Sequence, residues 1–324
     1  MNVKQCTLKV LENHKGQYIS GQELAQQLSV SRNSVWKSVK SLREEGYEIS
    51  AVPNKGYCLA NSSDILSSQG IKKHLAEYSD NFDIIVYKTI TSTNSVAKEL
   101  ASKGAKEGTV IISEEQTQGR GRLGRNFYSP QKTGIYMSLI LRPELNASES
   151  LFITTSAAVA VARAIESVSD KDVKIKWVND VFCNDKKVCG ILTEASFGLE
   201  SGGIEFVVLG IGINVKPPQD GFPSKIEEIA TSVFENDISA DIRSELIAEV
   251  LKNFLQYYKK LPSKDFISDY KARSLLIGRK ISVISGDSAQ NATAIDIDDD
   301  CKLKVEFDDG TQKLLSSGEV SIRI

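Results

Sequence analysis

A chain of 324 residues, 41% of them hydrophobic and 25% charged, is long enough to bury a large core and to divide into about two or three domains. Its net charge of −2 excludes a globally basic nucleic-acid-binding surface, so any contact with DNA must come from a local patch. No apolar run approaches the roughly 18 residues of a membrane span, and the opening "MNVKQCTLKV" lacks the apolar core of a signal peptide, so the expectation is a cytoplasmic protein with no membrane partner.

The first predicted elements lie in "SGQELAQQLSVSRNSVWKSVKSLREEGYEI". Ser20 is a helix cap, a short helix runs from about Gln22 to Leu28, Ser29 to Ser31 turn, and a second amphipathic helix continues to about Glu44. Leu24, Ala25, Leu28, Val35, Val39 and Leu42 fall on one face and predict a core. The opposite face carries Ser31, Arg32, Asn33, Ser34, Lys37, Ser38 and Lys40, polar and locally basic, which suits a recognition helix in a major groove. "YEISAVPNKGYCLA" then reads as two strands joined by a turn with Lys55 near its tip, a wing beside the helix-turn-helix. The DNA-binding candidates are Ser31, Arg32, Asn33, Ser34, Lys37 and Lys55. A plain helical adaptor with solvated lysines is the alternative.

The start of the serine-rich stretch Asn61 to Gly70 reads as a linker, which sets domain boundaries at 1–62, 63–272 and 273–324. In the middle segment "FDIIVYK" predicts a strand, "TNSVAKELASKG" a helix, "GTVIISEE" and "GIYMSLILR" strands, and "SESLFITTSAAVAVARAIESV" a helix. Strands follow around "VKIKWVND", "KKVCGILTEAS" and "IEFVVLGIGINV". Several adjacent strands joined directly imply an α+β fold with a mainly antiparallel, mixed sheet and packed helices, not a Rossmann fold. From about Leu275 onward, "GRKISVIS", "ATAIDIDDD", "KLKVEFDDG" and "TQKLLSSGEVSIRI" read as short strands separated by turns.

Between two of the central strands sits "GRGRLGR", Gly119 to Arg125. It reads as a solvated loop, as an RGG-type nucleic-acid segment, or as a loop that closes over an anion, with glycines for unusual backbone angles and arginine forks for oxyanions. In "VVLGIGINV", Gly210 and Gly212 point to one sheet face, leaving a bare stripe that a flat ligand or another backbone could approach, with a bulge or tight packing against a helix as the alternative, and Gly190 could extend it. Polar groups flank this floor in sequence: Ser92, Thr93 and Asn94, Gln116, the arginine loop, Lys176 and Asp180, and Lys187. Two unit anions about 4 Å apart repel by roughly 4 kcal/mol at an effective dielectric of about 20, so joining a carboxylate to a phosphate needs such cations or Mg²⁺. The five cysteines show no CxxC pairing and there are only two histidines, which predicts reduced, incidental thiols and no histidine-based metal site.

Taken in order, "TSTN", "GRGRLGR", "KWVND", "KKVCGILTE" and "LGIGINV" resemble the signature of the biotin protein ligase family, and the N-terminal winged helix makes the resemblance closest to its bifunctional, BirA-type branch of ligase and repressor. The resemblance covers essentially the whole chain. It implies a class II synthetase-like catalytic sheet and a small SH3-like β-barrel at the C-terminus. It implies biotin and ATP as substrates, Mg²⁺ with ATP, and biotinyl-5′-AMP as both intermediate and corepressor. The implied partners are biotin carboxyl carrier domains (of acetyl-CoA carboxylase, with pyruvate carboxylase a further candidate), operator DNA, and a second copy of the chain when the adenylate is bound. By the same resemblance Ser92, Thr93, Asn94, Gln116, Arg120, Gly121, Arg122, Lys187, Gly190, Gly210 and Gly212 bind biotin. Arg122, Arg125, Lys176, Asn179 and Asn214 bind ATP, and Lys187, Arg122 and Asp180 serve catalysis. Val178 stands where many relatives have proline, Leu123 where a basic residue can occur, and Phe127 where tryptophan is often seen; Phe222 is a stacking candidate for adenine. A transcription factor that senses biotin without catalysis and a lipoate-type ligase are the competing readings.

Overall fold

The computed structural model describes residues 2–145, 149–197, 203–235, 241–285, 288–316 and 319–322. The N-terminal region folds around its own apolar core of residues between Leu8 and Leu59. Helix α1 (Val3–Asn13) precedes the predicted helix pair. Sequence inspection missed it, although Asn2 and Gln5 form a reciprocal capping box that opens it. Helices α2 (Gly21–Gln27) and α3 (Arg32–Glu44) follow, capped by Ser20 and Ser31. Strands β1 (Ile49–Val52) and β2 (Gly56–Leu59) pair antiparallel as the wing. Gly56 is required there: its φ is +106°, and a Cβ would fall 2.1 Å from the carbonyl oxygen of Ile19. Leu24, Val35, Val39 and Leu42 are buried as the spacing predicts. Ser38 is the exception, turned inward with its hydroxyl on the Ser34 carbonyl.

The predicted linker is less slack than its serine content suggests. Leu66 and Ser67 are buried, and α4 (Ser68–Leu75) starts within the stretch, capped by Ser67. Asp64 is drawn against Arg243, which is fully buried and also holds Glu114 at 2.8 Å. Removing one partner of such a buried charge cluster strands the others in a medium that solvates them poorly.

The middle of the chain forms a seven-stranded sheet in the order β3-β4-β5-β9-β8-β7-β6. Its strands are β3 (Asp83–Ile90), β4 (Thr109–Gln116), β5 (Gly134–Leu141), β6 (Val173–Lys176), β7 (Asp180–Cys183), β8 (Lys186–Phe197) and β9 (Ile204–Asn214). Only the β3–β4 pair is parallel, joined by helix α5 (Thr93–Ser102); every other pair is antiparallel. Alternation along the strands divides the two faces. Val110, Ile112, Leu139, Val207 and Leu209 face the main core under α6 (Ser150–Val168) and α7 (Ile242–Tyr258). Ile111, Ile140, Phe206 and Val208 face α5.

Helix α6, whose predicted start at Ser148 lies outside the described residues, corrects one expectation. It is long and apolar enough to cross a membrane, but 67% of its apolar window is buried inside the protein, as in a core helix. A short helix, α8 (Ile267–Ala272), leads to a five-stranded antiparallel sheet of β10 (Lys280–Ser285), β11 (Ser288–Ile297), β12 (Leu303–Phe307), β13 (Gln312–Leu315) and β14 (Glu319–Ile322). Ser317, Gly318, Arg323 and Ile324 of its last predicted segment lie outside the described residues. Its apolar side chains run without a break into the main core, and Trp177 Nε1 donates to the Cys301 carbonyl at 2.9 Å.

Candidate functional site

The sheet's register explains the bare stripe. Gly212 on β9 lies opposite Gly190 on β8 and Tyr136 on β5, and Gly190 in turn lies opposite Asp180 on β7. One rung further, Gly210 lies between Ser138 and Leu192. On the face where Phe206 and Val208 pack under α5, the next two positions of β9 carry no side chain, so the core gives way to a narrow cleft of about 30 Å³. Ser92, Thr93, Asn94, Gln116, Arg120, Gly190, Gly210 and Gly212 all line it. Phe127, Met137, Leu192 and Ile211 line it too and were not predicted.

The space above each glycine is already used. A Cβ at Gly210 would meet Asn94 Oδ1 at 2.1 Å, and one at Gly212 would meet the Phe127 ring at 2.6 Å. Phe127 had attracted notice only as a departure from tryptophan; in the fold it covers the floor.

A continuous hydrogen-bonded network forms one end of the cleft. Gln116 Oε1 accepts from the Thr93 backbone N–H at 2.8 Å, at the open N-terminus of α5, and its Nε2 donates to Ser129 Oγ at 3.0 Å. Ser138 Oγ stands 2.6 Å from Asn94 Oδ1 and 2.7 Å from Thr93 Oγ1. Ser92 is the N-cap residue of α5, yet its side chain makes no cap hydrogen bond.

Charged and amide groups gather at the other end. Lys187 Nζ is 2.7 Å from Asp180 Oδ1, and a Cβ at Gly190 would be 3.3 Å from Lys187 Nζ, which places the lysine at the cleft's edge rather than within its lining. Arg122 donates to Asn179 Oδ1 at 2.9 Å, tying the arginine loop to the turn between β6 and β7. Gly121 and Arg122 likewise stand outside the lining. The Gly121 N–H donates to the Arg125 carbonyl at 2.7 Å, folding the loop back on itself with Leu123 and Gly124 both at positive φ.

Lys176 lies opposite Asp180 in the β6–β7 pair, and Asn214 ends β9, donating to the Thr231 carbonyl at 3.1 Å. Phe222 lies in the loop after β9, which returns to pair its Ile229 carbonyl with the Lys187 N–H. The Trp177–Val178 peptide is cis. None of the five cysteines joins this chemistry. All are free thiols, and burial pushes Cys183 and Cys301 up to about 11.

In the N-terminal region the predicted contact residues Arg32, Asn33 and Lys37 are exposed on α3, Ser31 at its cap and Lys55 on the wing. The hydroxyls of Ser31 and Ser34 are engaged with each other at 2.9 Å, and Ser31 also caps the helix.

Comparison with known proteins matches this architecture segment by segment. The Biotin/lipoate A/B protein ligase family model matches residues 86–214, an HTH domain model residues 5–58, and the biotin protein ligase C terminal domain model residues 276–323. A "Bifunctional ligase/repressor BirA" of Bacillus spizizenii is 36% identical over 318 residues, covering 97% of each chain. The chain belongs to the biotin protein ligase family. Among other members, the Escherichia coli bifunctional ligase/repressor BirA is 27% identical over 95% of this chain and 94% of its own. A biotin protein ligase from Aquifex aeolicus, solved in complex with biotin and ATP, superposes with a TM-score of 0.62 at 28% identity, covering 74% of this chain and 98% of that one. Within the family this chain is of the bifunctional kind, with an HTH domain ahead of the ligase domain.

Proposed function

We propose that this chain is a biotin protein ligase and biotin-responsive repressor that forms biotinyl-5′-AMP from biotin and ATP and passes biotin to a lysine of a carrier domain. The observation that carries the reading is the bare glycine rung of Gly190 and Gly212, with hydrogen-bonding groups at one end and Lys187, Asp180, Arg122 and Asn179 at the other. A flat, uncharged ring system would take the floor once the Phe127 ring swings off Gly212, with Ser92, Thr93, Asn94 and Gln116 as partners for its polar edge. Its carboxylate tail then points toward the cations.

The chemistry follows from that orientation. The carboxylate oxygen attacks the α-phosphorus of ATP and pyrophosphate leaves. The carrier lysine amine then attacks the acyl carbon, and AMP leaves with the bonding pair. Lys187, released from Asp180, neutralises the reacting oxygens, and Arg122, with Arg120 once it leaves Glu194, brings the loop over the acyl phosphate. Lys176, Asn179, Asn214 and Arg125 face the nucleotide. Catalysis is then largely positioning and charge stabilisation. Mg²⁺ would be carried in on the phosphates of ATP, and the Asp180 carboxylate, 2.7 Å from Lys187 Nζ, stands at that end of the cleft.

Arg32, Asn33, Lys37 and Lys55 would contact operator DNA. Each winged helix offers one recognition helix, so a dimer stabilised by the adenylate would span two half-sites. The carrier substrate is the biotin carboxyl carrier domain of acetyl-CoA carboxylase, with that of pyruvate carboxylase as a second. Pyrophosphate release separates the readings: biotin with ATP should release it and lipoate with ATP should not. Release with lipoate alone would favour the lipoate ligase, and release with neither would leave a non-catalytic sensor.

A further inference from the structure

The Asn94 amide occupies the space over Gly210, so whatever holds that amide shapes the ring-binding end of the cleft. Its Nδ2 donates to Glu194 Oε2 at 2.8 Å and to the Leu192 carbonyl at 3.3 Å. Both partners are acceptors only, which fixes which end of the amide faces which way and leaves Oδ1 for the Ser138 hydroxyl. The other oxygen of Glu194 takes Lys98 at 2.5 Å, one turn along α5, and Arg120 of the arginine loop at 3.5 Å. Glu194 thus ties β8, α5 and the loop together from a position 18% exposed. In sequence it is only the last letter of "KKVCGILTE"; on the sheet it lies opposite Val208, one step along that face from the bare stripe.

We infer that Glu194 is the positioning residue of the ring-binding end: its carboxylate orients the Asn94 amide so that the pocket is formed before ligand arrives. This rests on the proposed reading of the cleft as the biotin pocket. A charge-assisted hydrogen bond that holds a buried amide in its binding rotamer is worth roughly a tenfold or larger change in affinity for the group that rotamer serves.

The test is steady-state pyrophosphate release in the presence of excess unmodified carrier domain for wild type, E194A and E194Q, varying biotin at saturating ATP and then the reverse. E194A should raise the KM for biotin about tenfold or more, with the KM for ATP unchanged and kcat within about threefold. E194Q keeps an oxygen for Asn94 Nδ2 and should recover the biotin KM to within about threefold of wild type. If E194A fails to fold, E194D serves in its place, because it keeps the charge but withdraws the carboxylate by one methylene. E194D should then raise the biotin KM more than E194Q does. A biotin KM within twofold of wild type in E194A, parallel losses for both substrates without rescue by E194Q, or E194Q weaker than E194D would each overturn the inference. A wild-type chain that releases no pyrophosphate with biotin would instead overturn the reading of the cleft.

Discussion

Gly210→Ala puts the site's geometry to a quantitative test. The added Cβ would lie 2.1 Å from Asn94 Oδ1 and 2.9 Å from Asn94 Cγ, distances no real Cβ tolerates, so one group must move. Asn94 is 4% exposed and is held by Glu194, Leu192 and Ser138. It cannot retreat without breaking at least the 2.6 Å contact to Ser138. Overpacking of this kind costs about 1–3 kcal/mol, and a buried hydrogen bond lost without replacement about 1–3 kcal/mol more. The sum is roughly 2–6 kcal/mol, which at about 2–4 °C per kcal/mol for a domain of this size lowers Tm by about 4–24 °C. The KM for biotin should rise at least about tenfold, since Asn94 would leave its binding position. Gly212→Ala is the control. Its Cβ meets the Phe127 ring at 2.6 Å, and a ring next to the arginine loop can swing aside, so Tm should fall by no more than about 3 °C while the biotin KM still rises. Thermal unfolding and biotin-dependent pyrophosphate release measure both. A Gly210→Ala protein with wild-type Tm and wild-type biotin KM would refute the reasoning.

Other expectations follow from the charged groups. Lys187→Ala should slow adenylate formation about 100-fold or more while shifting Tm by less than about 2 °C, because its ion pair to Asp180 is about a third exposed on the lysine side; wild-type turnover would remove the lysine from the mechanism. Arg243→Ala should destabilise by about 3–5 kcal/mol, since it takes the cation from the buried Glu114 and leaves Asp64 with Lys216 alone, and should open the segment around Asp64 to protease; an unchanged Tm would count against the buried cluster. Asp241 is held well below the usual carboxylate range by the neighbouring His74, with Lys15 and Lys73 adding to it and burial opposing. A depressed carboxylate gives stability that is present above its unfolded value and lost as pH falls through its folded one. Asp241→Asn should therefore lower Tm at pH 7, with the deficit shrinking below about pH 4; a deficit that does not shrink on acidification would contradict this.

What could be read from the sequence was what repeats at short range. Period-two alternation in "VVLGIGINV" put Gly210 and Gly212 on one face, and the helical spacing of Leu24, Val35, Val39 and Leu42 gave the winged-helix core. Hidden features depended on contacts between distant residues. Asn94 meets Glu194 across 100 positions and Ser138 across 44, and Arg243 reaches Asp64 across 179. No local pattern encodes such pairings. Helix α4 was hidden by the serines that also cap it, and Ser38 looked solvent-facing because its hydroxyl satisfies itself on the preceding turn. Phe127 was visible as an oddity but not as the lid on Gly212, because its loop has no periodicity to follow.

The most direct test of the central claim is transfer itself. The purified chain is incubated with biotin, ATP, Mg²⁺ and the unmodified carrier domain of acetyl-CoA carboxylase, and the carrier is weighed by mass spectrometry. The account predicts one biotin added at one lysine, with AMP and pyrophosphate formed in equal amounts. A carrier that stays unmodified under these conditions, or is modified only when lipoate replaces biotin, would contradict it.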